Sequence, residues 1–375
     1  MDRQPYLDRY SGTSTVPTET KSPITTIQPE DTPSQTPWYN PRGWSLGTKL
    51  IASTIVIVTT LAAILIPVEI IQSKYPNYTP LNYTLADTYS GPTFFDQFTY
   101  FTDEDPTKGF VVYVNKSMAR HLNLTYAAEN SAILRVDAST PNARSGRNSV
   151  RVESRNTYDS GLFVFEIIHT PFGCATWPAL WLTDGHNWPG NGEIDVLETT
   201  NLGSHGNEIS IHTTKGCKMD VKRKQTGQRI FTNCDNVTNG NSGCGVIGDE
   251  YTYGEVMNNH GGGIYVLELR DAGIRAWFFP AGAVPVDITE GNPDPSRWGI
   301  ALADFPSTDC DIAAHFRNLS IVINIDLCGE LAAQKQYYDT LYRCPATCSG
   351  FVASNPGSFV DAYWEFRSFK VYRAS

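Results

Sequence analysis

Polar and apolar positions along this chain fall into four regimes, each predicting a different structure. Residues 1–48 are rich in Pro, Ser and Thr with few aliphatic side chains. Such a segment buries too little apolar surface to offset the entropy of ordering, so a disordered tail is expected. From Leu50 to Val68 no charged residue interrupts an apolar run. At about 1.5 Å per residue this run nearly crosses a hydrocarbon core of roughly 30 Å, which predicts a transmembrane helix over 49–69. Residues 70–88, rich in Tyr, Asn and Thr, read as a stalk. Residues 89–375 carry short apolar or alternating runs separated by turn residues, predicting one domain of strands at 149–154, 161–168, 179–182, 194–197, 210–212, 264–269, 274–279, 319–325 and 364–372. Val150 and Val152 alternate with polar neighbours, whereas Leu162-Phe163-Val164-Phe165 is apolar on both faces, as befits a strand inside a two-sheet sandwich. Gly261-Gly262-Gly263 precedes a strand rather than opening a helix, so it reads as a turn and not a phosphate cradle.

One of these strands breaks the pattern. In Asn191-Gly192-Glu193-Ile194-Asp195-Val196-Leu197-Glu198, period-two alternation puts Glu193 and Asp195 on one face and Ile194 and Val196 on the other. Glu198 is out of phase and would enter the core, where an ionised carboxylate is costly. One extra residue at Val196 or Leu197, forming a β-bulge, returns it to the face of the other two. Two Glu residues held that way can sit roughly 5 Å apart, the separation of a retaining glycosidase. A solvated edge strand would interleave its acids with Lys or Ser; here the partners are Ile, Val and Leu. Trp177, Trp181 and Trp188 lie just upstream. Indole faces stack on the C–H faces of sugar rings, and Trp181 and Trp188 are expected to line a cleft, with Trp177 in the core.

Charge and cysteine content narrow the setting. A net charge of -10 argues against nucleic acid as a partner, since phosphate backbones reward clustered Lys and Arg; a neutral polysaccharide makes no such demand. The eight cysteines, Cys174, Cys217, Cys234, Cys244, Cys310, Cys328, Cys344 and Cys348, all follow the apolar run. No CxxC pair or nearby His gives zinc spacing, so disulfides are expected, among 105 possible pairings. Asn77, Asn82, Asn115, Asn123, Asn236 and Asn318 each begin a glycosylation triplet, and none precedes the apolar run. A cleaved signal peptide has a leader of a few residues, not a tail of this length. The expectation is an uncleaved signal anchor, giving a single-pass type II protein whose C-terminal part lies outside the cell or in the secretory lumen.

The run Trp177-Pro178-Ala179-Leu180-Trp181 followed by Gly192 to Glu198 resembles glycoside hydrolase family 16, specifically the fungal endo-1,3(4)-β-glucanases or laminarinases, whose motif has the extra bulge residue. The resemblance runs from about Tyr89 to Tyr372 and includes Gly243-Cys244-Gly245, Trp277-Phe278-Phe279-Pro280, Asn324 to Gly329 and Ala362-Tyr363-Trp364. It implies an all-β jelly-roll sandwich with a substrate cleft on its concave face, preceded by the tail and the single transmembrane helix. It also implies Glu193 as nucleophile, Glu198 as acid/base, Asp195 as the orienting carboxylate between them, and His212 as a sugar contact. No cofactor is required; a structural Ca²⁺ fits some relatives, but no oxygen-rich loop here has its ligand spacing. A monomeric catalytic domain acting on β-1,3 or mixed β-1,3/1,4-glucan is expected. The same two Glu residues would serve a transglycosylase, and a glucan-binding lectin would typically have lost one or both. The chain departs from its relatives at Gly329-Glu330-Leu331, where many laminarinases read Gly-Asp-Trp.

Overall fold

Sixteen strands in two antiparallel sheets of eight form a sandwich in the computed structural model, which describes residues 39–374. The disordered tail expected over 1–48 lies outside the described residues up to position 38. The chain divides into two compact units, the second beginning at Ile64.

The helix that carries the apolar run spans Leu46–Ser73, starting earlier and ending later than 49–69. Its start is set by Ser45, whose hydroxyl accepts a hydrogen bond from the Thr48 amide at 3.2 Å, an N-cap the hydropathy pattern does not show. Leu46–Pro67, 22 residues, is long and apolar enough to cross a membrane, and none of its most apolar window is buried against protein. That excludes a buried core helix.

One sheet runs in the order Gln228–Arg229, Cys244–Ile247, Glu208–His212, Glu193–Glu198, Thr176–Thr183, Leu319–Leu327, Arg151–Tyr158, Phe98–Tyr100. The other runs Ala303–Pro306, Gly273–Pro280, Gly263–Arg270, Gly161–His169, Tyr363–Ala374, Ser131–Arg135, Thr125–Ala128, with Tyr83–Ser90 also paired to Tyr363–Ala374. Eight of the nine predicted strands are present, each extended at one or both ends; the one expected at 149–154 is divided at Val150 between Arg147–Ser149 and Arg151–Tyr158. Alternation sorts their faces. In Leu319–Leu327, Ile321, Ile323 and Ile325 enter the core, while Val322, Asn324 and Asp326 share the opposite face with Trp181, Ala179 and Trp177 of the neighbouring strand. The inner faces of both sheets meet in one continuous core that includes Phe163, Phe165, Leu180, Leu182 and Trp364. The glycine run is the turn expected. Gly261 and Gly262 have φ of 85° and 77°, and a Cβ at Gly262 would overlap the Ile167 carbonyl.

The segment expected to be a stalk is folded onto this sandwich from Lys74 onward. Tyr83–Ser90 is a sheet strand. The Tyr75 and Tyr78 hydroxyls donate to Asp304 at 3.0 and 3.2 Å, Tyr83 donates to Glu268 at 2.8 Å, and the Thr308 hydroxyl donates to the Lys74 carbonyl at 2.9 Å. The Tyr rings also lie 4.1 to 4.2 Å from the cationic groups of Arg275 and Lys224. Tyrosine is amphipathic, so a segment that looks polar in sequence packs as an integral part of the domain.

The eight cysteines form four disulfides, Cys174–Cys344, Cys217–Cys310, Cys234–Cys244 and Cys328–Cys348. Of the six sequon residues, Asn77, Asn82, Asn115, Asn123 and Asn318 are exposed and Asn236 is half-buried.

Candidate active site

The strand Glu193–Glu198 lies fourth in its sheet, and its register slips where the sequence demands it. Against Thr176–Thr183, Asp195 pairs with Trp181 and Leu197 with Leu180, leaving Val196 as the extra residue. Val196 and Leu197 are both fully buried in the core. Glu193, Asp195 and Glu198 therefore share the outer face. A bulge interrupts the ladder, and the groups it strands need partners. Asn207 supplies them: its side-chain amide donates to the Val196 carbonyl at 2.8 Å and accepts from the Glu198 amide at 3.0 Å. Asn207 is itself fully buried, with its backbone N–H donating to the Thr252 hydroxyl at 2.9 Å. Sequence reading missed this residue, because nothing in the spacing marks it.

The adjacent strand adds Glu208, Ser210 and His212 to the same face. The Ser210 hydroxyl donates to Asp195 Oδ2 at 2.5 Å, and His212 Nε2 lies 3.2 Å from that oxygen and 4.0 Å from Glu193 Oε1. The other ring nitrogen, Nδ1, is 3.2 Å from Asn241 Oδ1. Gly243 makes room for the ring, since a Cβ there would come within 2.9 Å of His212 Cε1. From the other side, Trp177 Nε1–H donates to Glu198 Oε1 at 2.7 Å. Trp177 is thus half-buried on the carboxylate face and not in the core as expected. It is in phase with Trp181, two pleats along the same strand. Trp181 donates to Asn324 Oδ1 at 2.8 Å, and the Arg151 guanidinium lies 5.0 Å from its ring. Trp188 is 41% exposed and hydrogen-bonds Glu193.

Burial and mutual repulsion dominate the electrostatics. Burial, then the charge of Asp195, push Glu193 up to about 7, with His212, the Trp188 hydrogen bond and Arg151 opposing. Glu198 is pushed well above the usual carboxylate range by burial, Asp195 and Glu208, against the Trp177 hydrogen bond and His212. Burial alone would neutralise His212; the Asp195 hydrogen bond and the surrounding carboxylates outweigh it and lift the ring to about 10. The face is therefore a cationic imidazole among carboxylates, and both Glu193 and Glu198 hold a proton more tightly than an exposed Glu would. Oxygen and nitrogen atoms of Glu193, Asp195 and His212 lie within 4.8 Å of one another, close enough to hold an ion. Asp195 also accepts from Ser210, and His212 is anchored between Asp195 and Asn241.

Residues 98–372 match the family described as XgeA-like, catalytic GH16 domain. The chain belongs to glycoside hydrolase family 16. It is 41% identical over 307 residues to a probable glycosidase of Schizosaccharomyces pombe, covering 81% of this chain and 72% of that one. Other fungal relatives named as endo-1,3(4)-beta-glucanases are longer, and the chain spans 40 to 65% of their length. Among solved structures, Laminarinase 16A from Phanerochaete chrysosporium, with β-glucans in its donor and acceptor sites, superposes with a TM-score of 0.75 at 41% identity, covering 78% of this chain and all of that one. An elongating family 16 β-1,3-glucosyltransferase superposes with a TM-score of 0.73 at 36% identity, with the same coverage. The sandwich is the family's jelly roll, and this glycoside hydrolase presents its three carboxylates from the bulged strand. In Gly329-Glu330-Leu331, Glu330 makes an exposed ion pair with Lys108, and a Cβ at Gly329 would lie 2.9 Å from the Trp177 ring.

Proposed function

We propose that this family 16 glycoside hydrolase is a membrane-tethered, retaining endo-glucanase acting on β-1,3 or mixed β-1,3/1,4-glucan. The observation that carries the reading is the bulge at Val196, which sets Glu193, Asp195 and Glu198 on one face, with both Glu carboxyls raised above the usual range. In the first step ionised Glu193 attacks the anomeric carbon while Glu198 gives its proton to the departing glycosidic oxygen. The product is a glycosyl ester on Glu193. Esterification removes that negative charge, so Glu198, now a carboxylate, takes a proton from water. The water oxygen attacks the same carbon, Glu193 leaves, and two inversions give net retention. Asp195, fixed by Ser210 and His212, holds the nucleophile's environment in place. Trp181 and Trp188 offer sugar-stacking faces. Carboxylates alone carry both steps, so the mechanism invokes no cofactor, and the catalyst is taken to act as a monomer.

The apolar helix is read as an uncleaved type II anchor, with the catalytic domain extracellular or lumenal. Four disulfides and the position of every sequon after the helix support this, since disulfides persist in oxidising compartments.

Glucosyl transfer is the second reading, favoured by the likeness to the elongating β-1,3-glucosyltransferase. The test is product analysis of the full chain in detergent on laminarin and barley β-glucan, beside Glu193→Ser. Shorter oligosaccharides from the wild type and none from the variant uphold the hydrolase; products longer than the substrate move the assignment to transfer; glucan binding without any product would leave a tethered lectin.

A further inference from the structure

Glu208 is an acidic side chain on the carboxylate face that the double displacement leaves unused. It sits directly across from Glu198 in the register between the two central strands. Directly opposed residues on one face have Cβ atoms roughly 4.5–5.5 Å apart, and like charges so placed are destabilising. The fold nevertheless makes room for this one: a Cβ at Gly245, on the next strand, would come within 2.9 Å of Glu208 Oε1. Asp195 has Ser210 as a donor and Glu198 has Trp177; among the described residues no group donates a hydrogen bond to the Glu208 carboxylate.

Resting on the assignment of Glu198 as acid/base, we infer that Glu208 is a positioning residue, whose negative charge opposes ionisation of Glu198 and so sets the upper pH limit of the reaction. The charged groups that act on Glu198 are Asp195 on its own strand and Glu208 and His212 on the next; Glu193 shares the face from the far end of the strand, and Tyr337, on the short helix Gln336–Leu341, is raised by both Glu208 and Glu198. His212 is cationic and opposes the effect; Asp195 adds to it but is neutralised in part by that same imidazole. Glu208 faces Asp195, His212 and Tyr337 as well, and burial lifts it to about 7. Its charge therefore develops as pH rises through neutrality, where Glu198 must keep its proton. Glu193, at the other end of the strand, is opposed by His212 and not by Glu208. The two limbs of a pH–rate profile should then respond differently.

The experiment is the pH dependence of kcat/KM for the full chain in detergent on a soluble β-1,3-glucan oligosaccharide, comparing wild type, Glu208→Gln and Glu208→Asp. In Glu208→Gln the alkaline limb is expected to fall by roughly one pH unit while the acid limb stays put. Glu208→Asp, which keeps the charge, should restore most of the alkaline limb. An unmoved alkaline limb in Glu208→Gln, or both limbs moving together, overturns the inference. Should the wild type release no product, the hydrolase reading fails by itself. The Glu208 inference is then decided by carbon-13 NMR titration of the Glu198 carboxyl in the wild type and in Glu208→Gln, its signal identified by its loss in Glu198→Gln. A lower pKa in Glu208→Gln upholds the repulsion, and equal values refute it.

Discussion

Replacing Asn207 by Ala should disable the enzyme without touching any group that meets the sugar. The Asn207 side chain spans the bulge, pairing the Val196 carbonyl at 2.8 Å and the Glu198 amide at 3.0 Å. Alanine leaves both backbone groups without partners beside a fully buried Val196. An unsatisfied buried polar group costs about 1–3 kcal/mol, so two should cost about 2–4 kcal/mol after partial relaxation. The bond from the Asn207 amide to Thr252 survives the change, which confines the damage to the bulge. Without its clamp the strand can regain regular register. Glu198 would then rotate toward the core, or Val196 out of it, and a displacement of about 1 Å at a catalytic group is enough to cost about 100-fold in rate. Urea unfolding of the full chain in detergent gives the first number, and kcat on laminarin at a urea-free temperature well below unfolding gives the second. A stability loss of about 2–4 kcal/mol together with a kcat at least 100-fold down is expected. A variant equally destabilised but with kcat within a factor of three of wild type would refute the reasoning, because the bulge would then be held by its backbone alone.

Other substitutions probe the charge cluster and the framework. His212→Ala removes the cation that opposes protonation of Glu193; the folded pKa of Glu193 should rise further above about 7, so the acid limb of kcat/KM should move to higher pH by about one unit, read from the same profile. Trp177→Phe deletes the N–H donor that holds Glu198 down, so the alkaline limb should move upward and kcat should fall by about 10-fold as the weaker acid releases its proton less readily. Replacing Cys174 and Cys344 together by Ser opens a link across a sequence separation of 170 and should destabilise the domain by about 4–5 kcal/mol in urea unfolding, on the chain-entropy account.

The strand pattern and the bulge could be read before any coordinates because both rest on local alternation. Val196 and Leu197 are adjacent apolar residues, and Glu198 can return to the face of Glu193 only if one of them is extra. The same period-two logic places Trp177 in phase with Trp181. The core expectation for Trp177 followed the habit of tryptophan to be buried and overlooked that phase. Other features depend on contacts far apart in sequence. Asn207 becomes a clamp only once two strands are paired, and Tyr75, Tyr78 and Tyr83 become part of the domain through distant partners such as Asp304 and Glu268, more than 180 residues away. Disulfide partners are likewise set by the sandwich and not by spacing. Hydropathy located the helix, while its first turn was fixed by a single hydroxyl at Ser45.

The central claim is that Glu193 forms a covalent bond to the sugar. A 2-deoxy-2-fluoro-β-laminaribiosyl fluoride slows hydrolysis of such an ester, so incubation of the full chain, proteolysis and peptide mass spectrometry locate the attached sugar directly. The expected result is one glycosyl adduct on the peptide containing Glu193, fragmenting to that residue and missing in Glu193→Ser. An adduct on Asp195 or Glu198, or a wild-type enzyme that turns over glucan with inversion at the anomeric carbon, would contradict it.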